Sequence, residues 1–333
     1  MFHQPSGSAC RIAGLGVYRP AESVSSDTVA GPLGLDAEWI RSRTGITARR
    51  VAGEAESVVD MAAAAGAAAI DDSGLAPDLI DCVITATVSH GISTPAAASV
   101  IADRLNLDGP AAFDISAACS GFSYGLELAR SLIAAGSARH VLVIGAERMT
   151  DLIDPTDANT AILFGDGAGA VVVAPSDSPE IAPIVWGGNG AKADLVGQAP
   201  TWIHYRDHGG PEPRLRMNGQ GLFLWVIENV PDIALRALDA AGLTVADLDA
   251  FIPHQANQRM IDCLATALDL PDTVRVATDI ADQGNASAAS IPLAMARLLD
   301  DHPTLSGGTA LTIGFGAGLT FGAQVLRLPG APG

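Results

Sequence analysis

Cys119 stands where a run of small residues, Ser116-Ala117-Ala118, meets Ser120-Gly121-Phe122-Ser123-Tyr124-Gly125-Leu126, whose spacing is helical through Ala135. A thiol at a helix N-terminus faces unpaired backbone N–H groups and the positive end of the helix dipole, which favour the nucleophilic thiolate. The same pattern also suits a buried structural cysteine, a common fate of free Cys. Cys10, Cys82 and Cys263 lack such a setting and read as structural. His254 lies in Pro253-His254-Gln255-Ala256-Asn257-Gln258-Arg259, just after the apolar strand 250–252. That places it at a strand's C-terminal edge, the usual mouth of an α/β site. Alone it fits a structural histidine equally well. Asn285, in Gln283-Gly284-Asn285-Ala286-Ser287-Ala288, carries an amide able to donate to a carbonyl or enolate oxygen, or to cap a helix.

An internal repeat brings these three together. Ala69-Ile70-Asp71-Asp72-Ser73-Gly74-Leu75, followed by Asp81-Cys82-Val83-Ile84, recurs as Ala237-Leu238-Asp239-Ala240-Ala241-Gly242-Leu243, followed by Asp249-Ala250-Phe251-Ile252, an offset of 168 residues. Asp114-Ile115 aligns with Asp279-Ile280 at 165, and Val141-Leu142-Val143-Ile144-Gly145 with Ala310-Leu311-Thr312-Ile313-Gly314 at 169. Two halves of like topology follow, 1–176 and 177–333. Cys119 and Asn285 then sit at pseudo-equivalent helix starts facing one interface, with His254 on a neighbouring strand end. In each half, helices ending at Gly74 or Gly242 lead into continuously apolar strands (83–87, 141–144, 170–174, 311–313), as expected of strands covered on both faces of an α/β sheet. The Gly-, Pro- and aromatic-bearing stretch 187–213 reads instead as a long irregular insertion. A cysteine nucleophile with neutral His and Asn donors, and no evident Asp or Glu general base, suits acyl-thioester chemistry. In that chemistry the carbanion forms by decarboxylation rather than proton removal.

Composition narrows the field. The 333 residues carry 19 Lys+Arg against 37 Asp+Glu, a net charge of −18, so a nucleic-acid backbone or an anionic membrane would be repelled. With 48% hydrophobic and 17% charged residues the chain reads as a folded globular protein. The first eight residues, Met1 to Ser8, lack a basic region followed by an apolar run, so no secretion signal is read there. The Ala-rich run 62–70 is broken by Gly66 and ended by Asp71-Asp72, too short to span a membrane and better read as a closely packed helix. The four cysteines form no Cys-x-x-Cys pair, and His204 and His208 have no acidic partners nearby, so no metal site and a reduced, cytoplasmic thiol set are expected. Phe164-Gly165-Asp166-Gly167-Ala168-Gly169 imitates a phosphate loop but leads into a strand, not a helix. Gly314-Phe315-Gly316-Ala317-Gly318 follows a strand and could bring a backbone N–H to a substrate oxygen, or simply turn the chain.

Segments along nearly the whole chain resemble the ketoacyl-acyl-carrier-protein synthase III family of the thiolase superfamily. They are Glu38-Trp39-Ile40 with Arg43-Thr44-Gly45-Ile46, residues 114–122 around Cys119, Asp154-Pro155-Thr156-Asp157, residues 164–169, His254-Gln255-Ala256-Asn257, Gly284-Asn285 with Ser287-Ala288-Ala289-Ser290, and residues 314–318. The resemblance implies a thiolase-like α/β fold, two duplicated αβαβα halves forming five layers, a homodimer, no cofactor, and a Cys119, His254, Asn285 triad. It implies that Cys119 takes the acyl group of an acyl-CoA, with its own backbone N–H and that of Ala317 holding the oxyanion. It further implies that His254 and Asn285 hold the thioester carbonyl of malonyl-acyl carrier protein as CO2 departs. Phe164 matches the aromatic wall of that site, Trp39 and Arg43 the contacts to the CoA nucleotide, Asn257 the contact to pantetheine, and Arg259 a carrier-docking arginine.

Three positions depart from the family's pattern. Ala158 stands where many members carry an arginine that clasps the nucleotide, and Leu224 where a basic residue often assists carrier docking. Both weaken the expected grip on CoA and carrier. Thr94 stands where short-primer members place a bulky Phe across the dimer, which predicts acceptance of primers longer or bulkier than acetyl. The alternative activity is a related acyltransferase of specialised metabolism that moves an acyl group to a hydroxyl, amine or polyketide carrier without releasing CO2.

Overall fold

The apolar runs form strands and the Ala-rich segments form helices that cover them. A computed structural model describes residues 9–330; the segment read above for a secretion signal, Met1 to Ser8, lies outside the described residues. The strands are β1 (Cys10–Tyr18), β2 (Glu22–Ser25), β3 (Ala48–Val51), β4 (Cys82–Ala86), β5 (Ala111–Ile115), β6 (Val141–Arg148), β7 (Asp166–Pro175), β8 (Val185–Gly188), β9 (Val196–Ala199), β10 (Arg214–Met217), β11 (Ala250–Pro253), β12 (Arg275–Val276), β13 (Thr309–Gly316) and β14 (Thr320–Arg327). The helices are α1 (Ser26–Leu33), α2 (Ala37–Thr44), α3 (Val58–Ser73), α4 (Ala97–Arg104), α5 (Gly121–Ala135), α6 (Ala158–Ala161), α7 (Trp202–His208), α8 (Gly219–Ala241), α9 (Gln258–Ala267), α10 (Ile280–Gln283) and α11 (Ser290–Asp301).

Two five-stranded sheets share one topology. The first has the order β1-β7-β6-β4-β5 and the second β8-β14-β13-β11-β12, read from the matching edge. In the first, β4 runs parallel to β5 and β6, and β7 antiparallel to β6 and β1. In the second, β11 runs parallel to β12 and β13, and β14 antiparallel to β13 and β8. Cys82 lies opposite Val141 in one sheet and Ala250 opposite Ala310 in the other, so the 168 and 169 offsets are equivalent places in two ladders.

Side-chain alternation along buried strands sorts the core into layers. Ile84 and Val143 of the first sheet, with Ile252 and Ala310 of the second, enclose Phe122 and Leu126 of α5 and Ile291 and Met295 of α11. On the other face of the first sheet, Val83, Leu142 and Ile144 pack on Met61 and Ala65 of α3 and Ile101 of α4. On the far face of the second, Phe251, Leu311 and Ile313 pack on Val226 of α8 and Ile261 of α9. The result is five layers, α-β-α-β-α, with each buried Leu, Ile or Phe contributing about 1.5–3 kcal/mol. The Ala-rich run is α3, opened by a Ser57–Asp60 capping box and closed by Gly74 at φ 67°. Its small residues let β1 come close: a Cβ on Gly14 would lie 2.2 Å from the Ala69 carbonyl oxygen, a backbone contact that cannot give way.

The stretch read as an irregular insertion is ordered. β9 and β10 form an antiparallel hairpin, Val196 opposite Met217, with α7 at its tip capped by the Thr201 hydroxyl. Strands of four residues separated by Gly and Pro leave no periodic run long enough to be read. Among the described residues no helix is long and apolar enough to cross a membrane.

Candidate active site

Central helices α5 and α11 begin where the two sheets meet, and the candidate residues gather there. Between β5 and α5 the chain makes a single 3-10 turn, Ala118–Ser120, which carries Cys119. The turn lies against β13, where a Cβ on Gly316 would come 2.8 Å from Cys119 Cβ and 3.1 Å from Sγ, so only glycine admits the turn that carries Cys119. The Thr320 hydroxyl ties it to β14, donating to the Ala117 carbonyl at 3.1 Å and sitting 2.6 Å from Ser120 Oγ. Neither the Cys119 nor the Ala317 backbone N–H donates to a backbone carbonyl outside the helices and strands among the described residues, and the Cys119 N–H turns toward its own Sγ.

His254 follows β11 and is buried, its backbone N–H donating to Ile313 O at 2.8 Å. Its Nδ1 lies 2.6 Å from Ser290 Oγ, and the Phe315 ring meets the imidazole edge-on at 5.3 Å. Burial drives its pKa down to about 3, so the ring is neutral at ordinary pH. Asn285 is held by a parallel bridge to Phe164: its N–H donates to Leu163 O at 2.9 Å and its carbonyl accepts from Gly165 N at 3.1 Å. Its side-chain Oδ1 accepts from the Ser287 N–H at 2.9 Å, which leaves the NH2 group for the cleft.

A cleft of about 700 Å³ is lined by Cys119, His254, Asn285, Phe164 and Ala317 at its foot. Trp39, Arg43, Asn257 and Arg259 line the same cleft. The Arg43 guanidinium stands 5.8 Å from the Trp39 ring and that of Arg259 5.9 Å from Phe223. Asn257 spends its Oδ1 capping α9 through Met260 N at 2.9 Å. Ala158 and Leu224, the two departures, also line this cleft. A second pocket of about 210 Å³ opens on the other side of Cys119, walled by Val88, Met149, Leu152 and Leu215, with Gln198 among its lining residues. Thr94 joins neither: it is exposed on the loop before α4.

The surroundings of Cys119 work against the thiolate that a helix N-terminus alone would favour. Burial, with a smaller contribution from the nearby Glu147 charge, pushes Cys119 up to about 12 against the opposing contact with the Ser287 hydroxyl. The site also has the carboxylate that sequence reading found missing. Glu147, at the end of β6, is fully buried behind Ser287 rather than lining the cleft. Its signal was an acid directly continuing the apolar run 141–146. Ser287, Ser290 and Phe315 were likewise passed over, although all three lie within stretches already singled out. Asn285 is the structural counterpart of Ser116 rather than of Cys119; the residue matching Cys119 in the turn before α11 is Ala288.

Residues 113–190 match the profile of 3-oxoacyl-[acyl-carrier-protein (ACP)] synthase III, and residues 238–328 match its C-terminal profile. The beta-ketoacyl-[acyl-carrier-protein] synthase III of Streptomyces glaucescens is 50% identical over 321 residues, 96% of each chain. The priming beta-ketosynthase of the R1128 polyketide biosynthetic pathway superposes with a TM-score of 0.97 at 42% identity, covering 99% of both chains. The 3-oxoacyl-(acyl carrier protein) synthase III of Pseudomonas aeruginosa PAO1 does so at 0.90 and 39%, covering 97% of this chain and 99% of that one.

Proposed function

The chain belongs to the 3-oxoacyl-[acyl-carrier-protein] synthase III family, and from that membership we propose how its residues divide the work. It is an acyltransferase of the condensing type. It joins an acyl-CoA primer to malonyl-acyl carrier protein with loss of CO2, giving 3-oxoacyl-acyl carrier protein and starting fatty-acid or polyketide synthesis.

In the proposed cycle Cys119 Sγ attacks the primer thioester, and the N–H groups of Cys119 and Ala317, neither spent on a backbone carbonyl outside the helices and strands, receive the oxyanion. CoA leaves with its proton and the acyl group turns into the pocket beyond Cys119. Malonyl carrier protein then extends its pantetheine arm down the cleft past Asn257. In this cycle Ser290 Oγ, 2.6 Å from His254 Nδ1, serves as the donor to that nitrogen, which places the ring proton on Nε2. His254 Nε2–H and the Asn285 amide both donate to the malonyl carbonyl, stabilising the enolate as CO2 departs. The enolate carbon attacks the acyl-cysteine, and the thiolate is released. The observation that carries this reading is that His254 and Asn285 are neutral, each with one polar atom tied up by a serine, so that what remains to each is a donor.

The acyl pocket exceeds the ~150 Å³ that accommodates benzene in a protein interior, so a primer of roughly six carbons fits. Trp39 and Arg43 take the CoA nucleotide, Arg259 docks the acidic carrier, Phe164 walls the site, and Thr94 gates the acyl pocket of a second copy in a homodimer. No cofactor is used, and the enzyme works in the cytoplasm. The test is to incubate the protein with acetyl- through decanoyl-CoA, locate the adduct by peptide mass, then add malonyl carrier protein and follow CO2. Acylation of Cys119 followed by CO2 and a 3-oxoacyl product is expected. Strict preference for acetyl overturns the Thr94 assignment, and acylation without CO2 overturns condensation in favour of simple acyl transfer.

A further inference from the structure

Glu147 closes the apolar run Val141-Leu142-Val143-Ile144-Gly145-Ala146, fully buried and with no ion-pair partner among the described residues. Its Oε2 accepts from Ser89 Oγ at 2.5 Å, Val88 N at 3.1 Å and Thr87 Oγ1 at 3.2 Å, and its Oε1 accepts from Ser287 Oγ at 3.0 Å. The charged groups around it are engaged elsewhere. Arg148, on the opposite face of β6, donates to the Gly53 and Glu56 carbonyls and pairs with Asp151. Asp166 on β7 is bound by Ala52 and Thr150, and Asp60 on α3 by Ser57 and Arg104. On the face shared with Val143, Glu127 and Arg130 of α5 pair with each other, and Arg297 of α11 pairs with Asp279 and Asp282. What Glu147 does face, through one hydroxyl, is Cys119. Ser287 reaches both, and it is held there in a left-handed backbone conformation at φ 47°, which a non-glycine residue adopts at a cost.

We propose that Glu147 receives the Cys119 thiol proton during primer loading, passed through the Ser287 hydroxyl. The inference rests on Cys119 being the nucleophile. As Sγ attacks the thioester carbonyl its S–H bond breaks and the proton goes to Ser287 Oγ, whose own proton moves to Glu147 Oε1. The electron pair stays on sulfur and forms the new C–S bond. When the tetrahedral intermediate collapses, the bond to the departing sulfur breaks and that thiolate takes a proton back along the same path, leaving as a thiol and resetting Glu147. Net charge and protons balance with no further reactant. A relay is needed because Cys119 rests as a thiol and His254 is too weak a base to hold a proton at ordinary pH. Burial lifts Glu147 to about 7, against the pull of its donors, which suits an acceptor near neutrality. Ser287 touches the reacting sulfur; Glu147 acts through it and is a positioning residue.

The test is the rate of Cys119 alkylation by iodoacetamide between pH 5.5 and 9, with the adduct located by peptide mass, in wild type, Glu147→Gln, Ser287→Ala and the double variant. Wild type is expected to show an inflection near pH 7 that both single variants lose. Each single variant slows the reaction by about 10²-fold above the inflection, and the double variant is no slower than either. A wild-type profile without the inflection, or variants that keep it, overturns the relay. So does a loss by the same factor at every pH, which would mark a packing role. If Glu147→Gln fails to fold, Ser287→Ala decides, since it leaves Glu147 three donors. Absence of any Cys119 adduct in wild type overturns the nucleophile itself, an outcome distinct from an adduct with an unaltered profile.

Discussion

Ala118, in the turn before α5, has φ 46°, and Ser287, in the turn before α11, has φ 47°. The two residues are 169 positions apart, and each opens a 3-10 turn that runs straight into a central helix. One backbone device thus occurs twice, and the two copies do opposite things. In the first half it presents Cys119, the proposed nucleophile. In the second, Ala288 takes that place, and the side chain that lines the cleft, Asn285, lies upstream of the turn. The second half has room for this because α10, four residues long, is inserted between β12 and the turn. Gln283 Nε2 of that insertion donates to Asp166 O at 2.7 Å, and Arg19 binds both Asp279 and Gln283 at 2.7 Å, so the first half clamps the insertion in place. The two halves share a symmetric frame, and in the proposed cycle a short asymmetric segment separates attack from carbonyl holding.

If the halves divide the work in this way, they can be disabled separately. Cys119→Ala should abolish acyl-enzyme formation and lower condensation by about 10⁴-fold or more, while malonyl carrier protein still loses CO2, because His254 and Asn285 remain. Intact mass and CO2 release measured on the same sample decide this; loss of both activities together would break the division. Conversely, His254→Ala and Asn285→Ala should each lower CO2 release by about 10²–10³-fold, the scale for removing one oxyanion donor, while primer loading changes only severalfold. Loading that collapses in step with condensation would mean the C-terminal pair also serves the nucleophile.

The halves should also respond oppositely to pH. Glu147, from the first half, is raised from 4.5 to about 7 in the folded protein. Between those values the folded state holds a proton that the unfolded chain has lost, so its contribution to stability falls as pH rises, by roughly 3 kcal/mol in all. His254, from the second half, is lowered from 6.5 to about 3. There the unfolded chain binds the extra proton, so its contribution is lost as pH falls through that window. Between about pH 4.5 and 6.5 the two slopes oppose and nearly cancel. Relative to wild type, Glu147→Gln should therefore gain a stability that rises with pH over that range, and His254→Ala one that falls with pH. Urea unfolding at three pH values checks both, and parallel curves for wild type and variants would remove the asymmetry.

Much of the repeated frame was legible in the sequence because it rests on local rules. Glycine ends α3 and α8 at φ 67° and 69°, continuous apolar runs mark strands covered on both faces, and His254 sits where a strand's C-terminal edge must open. The shift in repeat offset from 165 to 169 was the trace of the α10 insertion, visible in the alignment but without meaning until the sheets fixed the register. Glu147 was missed for the opposite reason. Its role depends on burial and on hydroxyls from β4's following loop and from Ser287, 140 residues away, and no local pattern encodes a contact at that separation. The β9–β10 hairpin escaped because four-residue strands carry too little periodicity to be told from loop, although the hairpin walls both the cleft and the acyl pocket.

The smallest effect is the most direct test of whether the shared turn is strained for function. A non-glycine residue in the left-handed region costs about 1–2 kcal/mol, of which glycine's extra unfolded-state entropy returns about 0.5–1. Ala118 carries no polar group, so Ala118→Gly should relieve the strain and raise stability by about 0.5–1 kcal/mol, read as a higher urea midpoint with an unchanged slope. Ser287→Gly relieves the same backbone strain but deletes the hydroxyl that bonds Glu147, leaving a buried acceptor with one donor fewer, so it should gain nothing or lose about 1 kcal/mol. Equal gains at both positions would mean the Ser287 hydroxyl is dispensable to the fold. A loss at both would mean the turn is held by its surroundings tightly enough that the left-handed residue bears no net strain.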